Sequence, residues 1–441
     1  MVTQQRSSPV PARIRTRIVL LAGLCLGAYE VSAETLEEAW ALALQNDRSL
    51  ASVRSQAEAA DLEVDAARAQ RWPTLAVDGR YTWLNESPAF DFSWTGLPIT
   101  PPKIFADDRF GMGSATLQVP VYTGGRISSG IAAAEARSRG ADAQALSALQ
   151  NVRLAVAESY VNVLRARRAL AVAESNVASL RALSSDVGNL FERDLVPKNE
   201  LLAVQVALSD AEQGKLRASN AVEIAVATYN RWLGEPLDRP VSLSDTLPAP
   251  EPLPTELDAL VLDALARRSE LTVLKEQSQA YEELANTERA RSLPQVSIGG
   301  AYNYIENQAL DEEQFYSAGV GVQWALFSGG QIRKRAAAFE RSRRATEEMQ
   351  ADMESVVALE VRQAWLAVDE SRQRVDVTAN AAAQAEENLR MARERYGVGL
   401  GTQTQLLQAE TLRVQALTNR DNAVLDAELA RLRLARAVGS L

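Results

Sequence analysis

Carboxylates stand in adjacent pairs at Glu37-Glu38 and Glu347-Glu348, the residue type an acid–base catalyst needs. Both pairs fall in helical stretches and read as solvated faces. The rest of the inventory is poor in reactive chemistry. The 441 residues contain no His, and the only Cys is Cys25. That removes most metal sites, Ser-His and Cys-His nucleophiles, and redox cysteine pairs. No Gly-x-x-x-x-Gly-Lys-Ser/Thr loop cradles phosphate, and no Gly-x-Gly-x-x-Gly opens a helix after a strand. The residues predict a protein that is not an enzyme and needs neither cofactor nor metal.

What the sequence does repeat is a junction. "VPVYTGGRI" occupies 119–127 and "VQWALFSGGQI" occupies 322–332. Each is an apolar run, then a Gly-Gly turn at Gly124-Gly125 or Gly329-Gly330, then a long Ala-rich stretch. Gly admits backbone angles that a sharp change from strand to helix requires. The junctions belong to a longer duplication. With Tyr122 placed on Phe327, the register holds without a gap to the C-terminus, setting Tyr160 on Trp365 and "ELLAVQ" (200–205) on "QLLQAE" (405–410). Upstream, "LEEAWALALQNDRSL" (36–50) matches "LDALVLDALARRSEL" (257–271) at an offset larger by 16 residues. The first copy therefore carries an insertion between Pro73 and its Gly-Gly turn.

Residues 1–33 read as a secretory signal: a basic start with Arg6, Arg13, Arg15 and Arg17, the apolar "IVLLAGLCLG" (18–27), and a small-x-small "VSA" (31–33). Lipidation at Cys25 would need a small residue before it, where Leu24 stands. Loss of this segment moves the net charge from −10 to −13. Such acidity argues against nucleic acid as a partner. No other apolar run approaches the length of a membrane helix, so entry into a membrane must use β-strands.

Two structural repeats follow, 34–240 and 257–441, joined by a Pro-rich linker at 241–256. Each begins with two short helices and a terminating Pro. Each continues with two strand-like stretches, at 74–84 and 110–122 (a hairpin over 74–122) and at 295–305 and 315–327 (a hairpin over 295–327). Strands of roughly 9–11 residues suit a tilted membrane span. Tyr81, Trp83, Tyr122, Tyr302, Tyr304, Phe315, Tyr316, Trp324 and Phe327 sit near strand ends, as interfacial girdles require. A soluble hairpin with aromatic packing is the alternative reading of either pair alone.

Long helices are expected at 127–191 and 332–396, and shorter ones at 197–233 and 403–438. Leu149, Val156, Val163, Leu170 and Val177 recur every seven residues, with Val152, Ser159, Ala166, Ala173 and Leu180 three later, a coiled-coil seam with small middle positions. A helix of about 65 residues spans on the order of 98 Å. The return path of 197–233 plus 270–292 totals about 90 Å, so short helices stacked end to end can pair with one long one. Four strands cannot close a barrel, and an open edge is forbidden in lipid, so chains must pool strands: two give eight and three give twelve.

This plan, with "VYTGGR", "LFSGGQ" and "RERYGVGLGTQTQLLQAE" (393–410), resembles the TolC-type outer membrane efflux proteins over essentially the whole mature chain. The resemblance implies a homotrimer combining a twelve-stranded barrel in outer membrane lipid with a long α-helical barrel crossing the periplasm. It implies docking to a periplasmic adaptor (membrane fusion) protein and an inner-membrane pump, proton-driven or ATP-driven. The chain would be a passive exit duct gated at its periplasmic tip, formed by the turns at 191–199 and 396–404. Tyr396, Gln405, Gln408, Glu200, Arg193 and Asp194 are the gate candidates it points to. Gln405 and Gln408 stand where the family's pattern carries Asp, which leaves Glu200 to supply a ring of negative charge and weakens the case for cation selectivity. A periplasmic coiled-coil rod or an adaptor subunit without a pore remains the competing reading.

Overall fold

The computed structural model describes residues 33–91, 94, 96, 103–245, 256–308 and 310–441. The segment read as a signal lies outside the described residues, Ala33 excepted, and so do 246–255 of the Pro-rich linker. The elements follow one order twice. Helices α1 (Leu36–Asn46) and α2 (Arg48–Ala69) precede strands β1 (Thr74–Trp83) and β2 (Arg109–Tyr122), then helices α3 (Arg126–Glu192) and α4 (Lys198–Leu233). The second set is α5 (Leu257–Arg267), α6 (Ser269–Ala290), β3 (Gln295–Ile305), β4 (Gln314–Gln323), α7 (Gln331–Gly397) and α8 (Gln403–Val438).

Local chemistry fixes the boundaries. Thr35 and Glu38 form a capping box on α1, and the Asp47 side chain accepts from Leu50 N to start α2. Pro73 and Pro294 stand between helix and strand. Gly234 and Gly439 end α4 and α8 in the left-handed region. Between these stops α3 and α7 each run 67 residues, about 100 Å.

Helices α2 and α4 pack along α3, while α6 and α8 pack along both α3 and α7. The order across the molecule is thus α2 with α4, α3, α6 with α8, then α7. The short helices stack within their own repeat. Asn46, at the end of α1, donates Nδ2 to Leu233 O at 3.1 Å, so the end of α4 abuts the start of α2. Gly439, after α8, lies against Arg267 in the same way. This corrects the expected path, in which 197–233 was completed by 270–292 of the next repeat. Chain connectivity suggested that pairing, but the packing of α1 and α5 against the helix ends decides otherwise.

Two apolar clusters sit where the stacks meet. The first gathers Leu36, Leu50, Val156, Tyr160, Tyr229 and Leu233. The Tyr160 hydroxyl lies 2.8 Å from Glu34 O and 2.7 Å from Ser244 O, and Tyr229 donates to Glu34 Oε1 at 2.9 Å. Burial pushes the Tyr160 hydroxyl up to about 12, against the bond to the Ser244 backbone. The second cluster gathers Leu260, Ala264, Val357, Val361 and Val438. Of the seam positions, Val152, Val156, Ser159, Val163, Val177 and Leu180 are buried.

The strands form one antiparallel sheet in the order β1-β2-β3-β4. The two expected hairpins are therefore fused by a β2–β3 pairing that joins the repeats. A bulge between Pro120 and Tyr122 absorbs the missing N–H of the proline. Strand β4 stops at Gln323, short of the expected 327, which leaves Trp324 and Phe327 beyond it. The equivalent stretch of β2, 119–122, pairs with β3, whereas the outer edge of β4 has no strand beside it among the described residues.

Candidate functional site

Side chains alternate across a strand, so the register assigns each residue to one face of the sheet. One face collects Leu75, Val77, Tyr81 and Trp83 of β1 with Ala115 and Leu117 of β2. It continues through Ile298, Tyr302 and Tyr304 of β3 to Tyr316, Val320 and Val322 of β4. Between Trp83–Arg109 at one end and Tyr122 at the other, it carries no charged side chain. The opposite face holds Asp78, Arg80, Ser114, Thr116, Gln118, Ser297, Asn303 and Ser317.

The apolar face is not covered by the protomer. Val77 is 77 % exposed and Val320 68 %. Its aromatics divide between the two ends. Tyr81, Trp83, Tyr302, Tyr304 and Tyr316 cluster at the loop end, where Tyr81 meets Trp83 edge-on at 5.1 Å and Tyr302 lies 5.2 Å from Tyr316. Tyr122, Trp324 and Phe327 mark the helix end, with Trp324 Nε1 donating to Ser292 O at 3.0 Å. Phe315 falls on the polar face. A strand of 10 residues is about 33 Å long, which spans an apolar band of about 25 Å once tilted. No helix among the described residues is long and apolar enough to cross a membrane.

The junction glycines turn the chain from sheet to rod. Gly124, Gly125, Gly329 and Gly330 have φ of 60°, 89°, 59° and 80°, a region that side chains other than Gly rarely adopt. Gly125 and Gly330 are the N-caps of α3 and α7.

At the far end of the rod the turns after α3 and α7 lie side by side. Tyr396 donates to Glu200 Oε2 at 3.4 Å, and Gln403 donates to the Glu200 carbonyl at 2.5 Å. Burial raises the pKa of the Tyr396 hydroxyl, and the Glu200 charge and hydrogen bond add to that shift. Arg193 caps α3, and Asp194 follows with φ 56° and its N–H on Phe191 O at 2.9 Å. Arg193, Arg393, Tyr396 and Glu410 line a groove of about 620 Å3 with Leu183 and Leu190. Gln405 and Gln408 are exposed and lie outside this set. Gln405 completes a capping box on α8, taking Thr402 N at 3.2 Å and giving its own N–H to Thr402 Oγ1 at 3.3 Å.

Sequence reasoning missed the ionic locks between helices. Glu410, 4 % exposed, takes Arg413 at 3.0 Å and Arg393 at 3.5 Å. Those arginines reach across to Ser175 and Ser179 of α3. Asp426 on α8 joins Arg165 of α3 at 2.6 Å to Arg374 of α7 at 2.8 Å. Where α6 begins, Glu270 holds Arg436 at 2.6 Å and Arg268 at 3.0 Å, and Arg268 also holds Glu360 at 2.8 Å. Burial pushes the Glu270 carboxyl up, but hydrogen bonds from Arg436, its own backbone N–H and Arg268 outweigh it and leave the pKa at about 2. The i,i+3 spacing of Glu410 and Arg413 was visible in sequence; their partners on other helices were not.

A sheet with one exposed apolar face and aromatics at both of its ends, continued by a helical rod of about 100 Å, is the build expected of the protomer of an outer-membrane channel. The family model described as outer membrane efflux protein matches residues 40–235 and 260–440, and the chain belongs to that family. It is similar to the outer membrane protein TolC of Vibrio cholerae, 23 % identical over 93 % of this chain and 92 % of the relative. The outer membrane efflux protein BepC of Brucella suis is 30 % identical over 35 % of each chain. Among solved structures, the CmeC outer membrane channel of Campylobacter jejuni has TM-score 0.80 at 14 % identity, covering 99 % of this chain and 94 % of its own. VceC of Vibrio cholerae has TM-score 0.77 at 18 % identity, covering 92 % and 96 %. The chain is thus the exit duct of an efflux system, sited in the outer membrane and reaching into the periplasm.

Proposed function

We propose that three protomers close a twelve-stranded barrel and continue it as a helical tube gated at the periplasmic tip. The observation that carries this reading is the sheet itself: β1 and β4 are open edges on a sheet whose apolar face suits lipid. Lipid offers no water to satisfy the unpaired backbone groups of an edge, so closure needs further copies. Residues 78, 80, 114 and 303 then face the water-filled lumen. Substrate is handed over by a periplasmic adaptor and an inner-membrane pump, and the duct conducts it passively. Exposed Leu195, Val398 and Leu400 on the tip turns support protein docking there. Envelope fractionation followed by the detergent-corrected mass of the extracted protein tests the reading. A trimer in the outer-membrane fraction is expected; a monomer or dimer free in the periplasm returns the chain to a coiled-coil rod.

The gate is assigned to Tyr396, Glu200 and Arg193, which the fold gathers, with Asp194 setting the turn. Tyr396→Phe and Glu200→Gln weaken the closed tip and raise single-channel conductance in planar bilayers; unchanged conductance removes the pair from the gate. Gln405→Asp increases cation preference if this position lines the pore, and no change assigns Gln405 to helix capping alone.

A further inference from the structure

We propose that the start of α7 is a binding surface for anionic phospholipid headgroups of the membrane leaflet that faces the periplasm. The inference needs only the membrane placement established above and is independent of the trimer and of the gate. The aromatics fix its height. Trp324 and Phe327 mark the helix end of the apolar face, and α7 begins just beyond them at Gln331. Arg333, Lys334 and Arg335 follow, the last about 6 Å along the helix. A headgroup layer is about 5–8 Å deep beyond the hydrocarbon, so these three side chains lie within it.

The fold of the protomer does not use these cations. Arg333, Lys334, Arg335, Arg341 and Arg344 are exposed, and none has an ion-pair partner among the described residues. The contact of α7 with α6 is made by other side chains: Phe339 lies beside Tyr281, and Glu340 takes Arg289 at 2.7 Å. Nor does the junction require the charges. Helix α3 starts from the equivalent Gly-Gly turn and has the same length, with Ser128, Ser129 and Gly130 in the matching places. From 331 to 344 six basic residues stand against one acid, Glu340, whereas from 126 to 139 three stand against Glu135. Cations in the first turns of a helix oppose its macrodipole, which favours anions there. An anion from outside the chain removes that conflict.

Phospholipid fits this surface better than a second copy of the chain. Leu326 and Phe327, 78 % and 89 % exposed, share one groove of about 660 Å3 with Arg333, Arg341 and Arg344. The groove is apolar toward the sheet and basic below it, the order in which a lipid presents its acyl chains and its phosphate. Closest to the sheet, the carboxylates of α2, α3, α6 and α7 are Asp65, Glu135, Glu288 and Glu340. Each is already ion-paired within its own chain, to Arg68, Arg291 or Arg289. A second copy therefore brings no free carboxylate to this height, whereas anionic headgroups draw basic side chains to a membrane surface.

Native mass spectrometry of the detergent-extracted protein, offered phosphatidylglycerol or phosphatidylcholine, tests the surface. The parent protein should retain phosphatidylglycerol about tenfold over phosphatidylcholine. The preference should shrink when salt is raised from about 0.1 M to about 1 M, which shortens the screening length from about 10 Å to about 3 Å. Arg333→Gln with Lys334→Gln and Arg335→Gln should abolish the preference. Arg341→Gln with Arg344→Gln should weaken it less, because those residues stand about 15–20 Å from the helix start, below the headgroups. Equal retention of the two lipids by the parent, or a preference indifferent to salt, overturns the proposal without any variant. A preference kept by the triple variant overturns it too. If that variant keeps the preference but loses oligomeric mass, the surface is a contact between copies of the chain. The same spectra give the oligomeric mass of the parent, so the trimeric reading stands or falls separately.

Discussion

Helices α3 and α7 have the same length, follow the same Gly-Gly junction, and occupy equivalent places in the two repeats, yet they are buried very differently. Twenty residues of α3 are buried and seven of α7. The cause is position. Helix α3 is flanked on both sides, by α2 with α4 and by α6 with α8, while among the described residues α7 has helical neighbours on one side only. Similarly, β2 and β3 have a partner on each edge, and β1 and β4 on one. The inner seam is saturated and the outer one is open, which is the asymmetry that the proposed assembly of protomers would remove.

The strongest way to break this comparison is at an equivalent pair of aromatics. Tyr160 on α3 is fully buried, and its counterpart Trp365 on α7 is only partly so. Tyr160→Ala is expected to cost about 4 kcal/mol in urea unfolding followed by circular dichroism, and Trp365→Ala about half of that. Equal losses would mean that α7 is as enclosed as α3.

Acid separates the inner seam from the outer one. Glu270, whose carboxyl is held at about 2 against an ordinary value of 4.5, locks α6 to α8 at the inner seam. Its folded pKa is depressed, so its stabilisation is complete above pH 4.5 and is lost as pH falls toward 2. The linked loss is about 3 kcal/mol. Glu270→Gln should flatten the pH dependence of unfolding over that window. A profile unchanged by the substitution assigns the acid sensitivity to another group.

The junction glycines sharpen the contrast at smaller cost. A Cβ on Gly124 would lie 2.8 Å from Leu293 Cβ and 3.2 Å from Ala290 O, while one on Gly329 meets nothing within 4 Å. Both positions have positive φ, so both Ala variants are strained. In isolated protomers Gly124→Ala should be the more damaging by about 1–2 kcal/mol, read by thermal unfolding. The smallest effect is at Asp426. Its arginine partners are about one-third exposed or more, so Asp426→Asn should cost about 1 kcal/mol or less.

The sequence by itself determined the elements and their order. Heptad periodicity, the prolines at 73 and 294, and paired glycines act within a few residues, so they can be read without the fold. The duplication was legible for the same reason, and it carried the strand-to-helix junctions with it. The tip was legible as a place, from its turns, but not as an arrangement. Gln405 was a gate candidate only through the family resemblance, and the fold shows what its side chain does within the protomer, which is to cap α8. Tyr396 and Glu200 are 196 residues apart and meet only because α3 and α7 flank the same helix pair and run to the same end of the rod.

Only the tertiary structure decided which elements are neighbours. Helix ends stack within a repeat, against the order of the chain, because α1 and α5 fill the space at those ends. The hairpins fuse through β2 and β3 because two half-sheets with open edges satisfy more backbone groups together than apart. Glu410, Asp426 and Glu270 become locks rather than surface charges because arginines from other helices reach them, and those distances depend on packing that no local pattern encodes. Periodicity records which side of a helix is buried; it does not record what covers that side, and for the outer side of α7 the proposed cover is a second copy of the chain.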